Sequence, residues 1–186
     1  TALQRGNLDI AIRSYLKLID MTRDPRVAQR ASEIALHARH PYAAEQAAKM
    51  WISLAPESLN ARRTVAALLV NLGKLNEAQP HLENLLENDE ENVGNAFLQL
   101  NQLLSRNQNK AEVFQLIKQL AEPYPSVPES HFSVSQAALQ TNQYDIALAI
   151  YHAVIDAIPF SLEEKIKQIP KLFTRLNVSM SPSRSG

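Results

Sequence analysis

Cysteine is absent from this 186-residue chain, which excludes disulfides and thiolate metal sites and leaves the compartment open. Glycine is scarce. Four residues are too few for a phosphate-cradling loop, and neither Gly-x-Ser-x-Gly nor His-Glu-x-x-His occurs. No apolar run approaches the roughly 18 residues that a membrane span needs. Thr1 leads into polar sequence containing Arg5 and Asp9, so no secretory signal is visible. The chain opens without Met and near the end of a helix. We therefore expect a fragment or processed form, with any targeting segment upstream.

What remains is helical material. Hydrophobic residues make up 45% of the chain, enough for a continuous core. Ala, Leu and Gln are plentiful and β-branched runs few, which favours helix throughout. The net charge is zero but comes in blocks: 11 basic and 6 acidic residues over 5–74, 3 and 13 over 77–164, and 5 and none over 165–184. Solvated surface charge with local bias accounts for this, but such polarity also favours head-to-middle self-contact at low salt.

A period of about 34 residues organises the chain. Ala11, Ala44, Ala78, Val113 and Ala147 stand at intervals of 33, 34, 35 and 34. Four residues beyond each comes Tyr15, Ala48, Leu82, Ile117 or Tyr151; three further on comes Leu18, Trp51, Leu85, Leu120 or Val154. This i, i+4, i+7 spacing puts each trio on one helix face. Before each trio lies a second helix with a small face: Ala28, Ala31, Ser32 and Ala35; Val65, Ala66 and Leu69; Phe97, Leu100 and Leu104; Val134, Ser135 and Ala138. Helical hairpins repeated at this period indicate a solenoid. Pro25, Pro56, Pro125, Pro128 and Pro159 fall between hairpins, where helices stop. Pro41 opens a helix, and Pro80, slightly inside one, predicts a late helix start or a kink.

The ends differ. Gly6-Asn7-Leu8-Asp9 reads as a hairpin turn whose preceding helix is almost gone, leaving an orphan helix over 9–20 with part of its apolar face open. Ser161-Leu162-Glu163-Glu164 is a capping box opening one more helix. Leu162, Ile166 and Ile169 of that helix can lid the last repeat. The domain reading is a solenoid over 1–159, with a partial first repeat and full repeats near 25–56, 59–90, 94–125 and 128–159. A C-terminal capping helix over 160–178 and a Ser-rich disordered tail over 179–186 complete it.

A search for reaction chemistry finds none. His37 and His40 are three apart, but no carboxylate joins them at ligand spacing, so no metal site is assigned. Asp89-Glu90-Glu91 reads as a solvated loop rather than a catalytic pair. Arg23, Arg26, Arg30, Arg62 and Arg63 gather near the start, yet the acidic remainder would repel phosphate, so nucleic acid is not expected. No cofactor is implied. Tyr15, Trp51, Phe97 and Tyr151 fall at packing positions.

The period, Gly73 in a hairpin turn, Ala78 in the second helix, Tyr15, Tyr151 and the repeat-end prolines Pro56, Pro125 and Pro159 together resemble the tetratricopeptide repeat. The resemblance covers residues 6–159. It departs where the consensus glycine is replaced by Ser32, Ala66, Asn101 and Ser135, and where the consensus Trp is missing. It implies an all-α, right-handed superhelical solenoid whose first helices line a concave groove. Groove rows then read Gln29, Arg63, Leu98, Phe132; Glu33, Ala67, Gln102, Gln136; and His37, Asn71, Arg106, Gln140. Of these, Gln29, Glu33, Arg63, Leu98, Gln102, Phe132 and Gln136 are the candidate peptide- or partner-binding residues. Chaperone-binding members hold a C-terminal carboxylate with Lys and Asn on the first two rows. Here the first row has one cation and the second none, which disfavours that role.

The implied function is a non-enzymatic scaffold for a protein or peptide partner; the alternative is a structural or self-associating module of a larger assembly. An enzyme subunit whose catalytic residues lie elsewhere stays open as a third reading. The stretch 22–35, Trp51 and Gly73-Lys74-Leu75 resemble Gram-negative tetratricopeptide proteins, many of them outer-membrane lipoproteins. That resemblance implies a periplasmic adaptor for an envelope protease or assembly factor, anchored through an upstream segment, with the cytoplasm as the alternative location.

Overall fold

Local chemistry starts and stops each helix. The computed structural model describes residues 2–88 and 92–157, with side chains placed for 10–88 and 92–150. Among the described residues there are nine α-helices and no strand: α1 (Ala2–Thr22), α2 (Pro25–His37), α3 (Pro41–Leu54), α4 (Leu59–Asn71), α5 (Leu75–Glu87), α6 (Val93–Leu104), α7 (Lys110–Ala121), α8 (Pro128–Gln140) and α9 (Tyr144–Ala157). Pro25, Pro41 and Pro128 open α2, α3 and α8, where a missing N–H costs nothing. Asp24 accepts from the Arg26 backbone N–H at 2.8 Å, and Ser58 accepts from Ala61 N–H at 3.2 Å. Each such N-cap stabilises by about 1 kcal/mol.

Three hairpins close on one device. Arg39 (φ 58°), Gly73 (φ 73°) and Asn142 (φ 59°) are left-handed. The next N–H in the chain reaches back to the helix end: His40 to the Ala35 carbonyl at 2.9 Å, Lys74 to Leu69 at 2.8 Å and Gln143 to Ala138 at 3.0 Å. These bonds satisfy carbonyls that a helix terminus leaves open. The α6–α7 turn is longer. There Asn109 N–H donates to the Asn107 side chain at 2.9 Å, while Asn107 Nδ2 donates to the Val70 carbonyl at 3.3 Å, tying this turn to α4.

Every substantial contact joins a helix to the next or the next but one. The hairpins therefore stack as a superhelical solenoid rather than around a closed core. The small and apolar faces expected of the first helices are inside: Ala28, Ala35, Val65, Leu69, Phe97, Leu104 and Ala138 are buried, as are Ala44, Ala78, Val113 and Ala147 opposite them. Alanine on both sides lets α2 and α3 approach closely, whereas Phe97 and Leu100 of α6 and Phe114 and Ile117 of α7 hold those backbones apart. Gly94 in the first turn of α6 makes room for a neighbour: a Cβ there would lie 2.6 Å from Glu129 Oε2. The carboxylate of α8 thus rests beside a helix N-terminus, where negative charge is favourable.

The first repeat differs from expectation. Helix α1 runs unbroken from Ala2 through Gly6-Asn7-Leu8-Asp9, so no hairpin turn forms there. One glycine in a helix costs only about 1 kcal/mol, too little for Gly6 to force a reversal. The buried face is rotated as well. Ile12 and Ile19 point inward, while Leu18 is 40% exposed and Ala11 half-buried. Helix α1 turns these larger side chains toward α2 and α3. In α5, Leu86 is buried and Leu85 only half-buried. Pro80 lies within α5, which begins at Leu75; the late start does not occur, and the Asn76 carbonyl lacks its usual donor. The expected capping helix over 160–178, the tail over 179–186 and the side chains of Tyr151 and Val154 lie outside the described residues.

Candidate partner-binding surface

The first helices α2, α4, α6 and α8 each bury one stripe and leave the adjacent one at the surface. On α2, Gln29 and Glu33 are half-buried and bonded to each other, Gln29 Nε2 donating to Glu33 Oε1 at 3.1 Å. Arg30 Nη1 donates to the other Glu33 oxygen at 3.0 Å, so this carboxylate is already occupied. Arg63 on α4 is exposed, Leu98 on α6 half-buried and Gln102 exposed; Phe132 and Gln136 on α8 are half-buried. All seven lie at least partly open, spaced by one period along the stack.

Arg63 also stands at a cleft that the sequence pattern does not reveal. A cavity of about 230 Å³ separates α4, α5 and α6. Leu82, Leu85 and Leu86 of α5 and Ala96, Leu100 and Leu103 of α6 line it, and Ala66 and Ala67 of α4 close the third side. Polar groups come from Arg63 and Gln99 alone. One signal is present in the sequence: Leu85 stands one period after Trp51. In the preceding seam the indole, 8% exposed, fills the space among Ala28, Ala31, Ala47 and Ala61. In the next seam along the stack Tyr124 packs edge-on against Phe97, with ring centroids 5.6 Å apart and planes at 76°. Between them the cleft has no aromatic side chain in its lining.

A second feature escapes the sequence. Glu45 of α3, with its side chain 7% exposed, accepts from Lys74 Nζ through both oxygens at 2.7 and 2.8 Å and from Lys49 Nζ at 2.8 Å. Lys49 continues to Glu77 at 2.7 Å. Burial alone would raise the Glu45 carboxyl, but hydrogen bonds from Lys49 and Lys74 outweigh it and hold the pKa below its ordinary value. This four-membered network joins the first full hairpin to the second. Nearby, burial first and then Arg62 and Lys49 push the His81 pKa down, and its Nδ1 is buried without a partner among the described residues. Among the described residues no group of three or more His, Asp or Glu could hold a metal ion, and no helix is long and apolar enough to cross a membrane.

Stacked hairpins of this period, closed by the turn at Gly73 and faced by Ala78, give the chain an all-α solenoid of the tetratricopeptide type. It is similar to the TPR repeat-containing protein PA4667 of Pseudomonas aeruginosa, with 29% identity over 147 residues, or 79% of this chain. The chain spans about a quarter of that relative's length, 25%. No family model matches the chain. The fold is similar to a crystal structure of MamA protein at a TM-score of 0.50 and 14% identity, covering 96% of this chain and 91% of that one. The C-terminal part of a TPR repeat-containing protein from Cytophaga hutchinsonii matches at a TM-score of 0.45 and 16% identity over 84% of this chain and 62% of that one.

Proposed function

We propose that the chain is a non-enzymatic scaffold holding a peptide or partner surface along its first helices. The observation carrying this reading is the recurring row Gln29, Arg63, Leu98 and Phe132, with Glu33, Gln102 and Gln136 one turn on. These side chains stay at the surface beside fully buried neighbours. Amides can hydrogen-bond an extended backbone, and half-buried Leu98 and Phe132 can anchor side chains with little further ordering cost. Pull-down of partners from native extract tests it. Arg63→Ala with Phe132→Ala should abolish capture while the melting temperature stays unchanged. Equal capture by both proteins would refute the groove as the binding surface.

The resemblance to Gram-negative envelope proteins supports a periplasmic adaptor serving a protease or assembly factor, with an outer-membrane anchor upstream. Fractionation of the full-length protein tests this location, and recovery in the cytoplasm would overturn it. A self-associating module is the second reading. Ile10 and Met21 of α1 are 62% and 74% exposed, and Leu18 shares their face. Sedimentation at low and high salt decides it, a monomer at both counting against association.

A further inference from the structure

We infer that the cleft among α4, α5 and α6 is a specificity pocket, taking one large apolar side chain from a partner peptide while Arg63 receives an internal aspartate or glutamate beside it. The inference rests on the scaffold reading and names the peptide chemistry that the scaffold selects. The cavity, about 230 Å³, accommodates one leucine-, methionine- or phenylalanine-sized side chain. Its walls are already desolvated. Leu82, Leu86 and Leu100 are buried beneath half-buried Leu85 and Leu103, so an entering side chain loses water without requiring the walls to rearrange. The flanking seams are plugged from within by Trp51 and by Tyr124 on Phe97. A foreign side chain completes here what an aromatic residue of the chain completes there.

Charge chooses the flanking residue. Of the four arginines on α2 and α4, Arg26 pairs with Asp24 at 2.7 Å and Arg30 with Glu33 at 3.0 Å. Arg62 donates to the Pro56 carbonyl at 2.9 Å. Arg63 makes no hydrogen bond or ion pair among the described residues, and no carboxylate lines the cleft. An unpaired guanidinium beside an apolar pocket selects a carboxylate. The second polar side chain in the lining, the Gln99 amide, is uncharged, so the cleft offers one charge for one carboxylate.

An array of end-capped heptapeptides tests this, with a central Leu, Ile, Met or Phe flanked by Glu, Gln or Lys and a parallel set ending in a free carboxylate. Binding to the whole 186-residue chain is read by fluorescence polarisation. The capped acidic set should bind at least tenfold tighter than the Gln and Lys sets. Arg63→Gln should erase that preference, and Arg63→Glu should transfer it to the Lys set. Ala67→Leu, which fills the cleft, should weaken all apolar peptides by a similar factor. Acid-independent binding, or tight binding confined to free C-termini, would overturn the inference. Binding that depends on Phe132 but ignores Arg63 and Ala67 would refute the pocket while leaving the scaffold standing. No binding in any set would count against both.

Discussion

Replacing Glu45 with glutamine removes one negative charge at nearly constant volume. At an effective dielectric of about 20, each ammonium near the carboxylate contributes roughly 4 kcal/mol of attraction. Taking the carboxylate out of water costs several kcal/mol, and removing one partner of a fully buried pair costs about 3–5 kcal/mol. Lys74 and Lys49 retain 34% and 42% side-chain exposure, so both can recover water, and Lys49 keeps Glu77. The expected loss is therefore near the lower bound, about 2–3 kcal/mol. Glu77→Gln, at a position 52% exposed, should cost under about 1 kcal/mol. Urea melts monitored by circular dichroism at neutral pH give both values. Because the folded Glu45 pKa lies below its ordinary value of 4.5, the unfolded chain takes up the proton first on acidification. The stabilisation is complete above the ordinary value and is lost as pH falls through the folded one. The gap between wild type and Glu45→Gln should accordingly narrow as pH falls below 4.5 and close once it has passed the lowered folded value. Equal costs for the two variants, or a gap that persists at low pH, would refute the assignment.

Two other predictions come from the backbone. Arg39→Gly should stabilise the chain by roughly 0.5–1 kcal/mol, whereas Gly73→Ala should destabilise it by at least about 1 kcal/mol, because both positions are left-handed; denaturant midpoints of the two variants check the opposite signs. Pro80→Ala restores a donor for the Asn76 carbonyl and should raise stability by about 1–3 kcal/mol, and a lowered melting temperature would show that the proline relieves strain instead.

The hairpins are legible in the sequence because each repeat buries the same positions. A period recorded in Ala44, Ala78, Val113 and Ala147 needs no knowledge of the partner helix. Helix α1 misleads because a single glycine costs a helix too little to force a reversal. Its register slips because burial goes to the larger side chains Ile12 and Ile19. The Glu45 network is half visible in the Glu45–Lys49 spacing. Its other half depends on α3 and α5 meeting in space, which no local pattern encodes. The cleft is hidden because it is a deficit of volume, apparent only when Leu85 is compared with Trp51 in three dimensions. Arg63 stands out as a groove residue from the repeat register, yet the apolar walls beside it come from positions that read as ordinary core.

Among the described residues substantial contact extends only to the next helix or the one after, so none of it clamps α1 to α9. Tension applied across the molecule would stretch it like a spring, with the strain shared among the seams between hairpins. A ligand wedged into one such seam would stiffen the coil, so occupancy and stiffness would rise together.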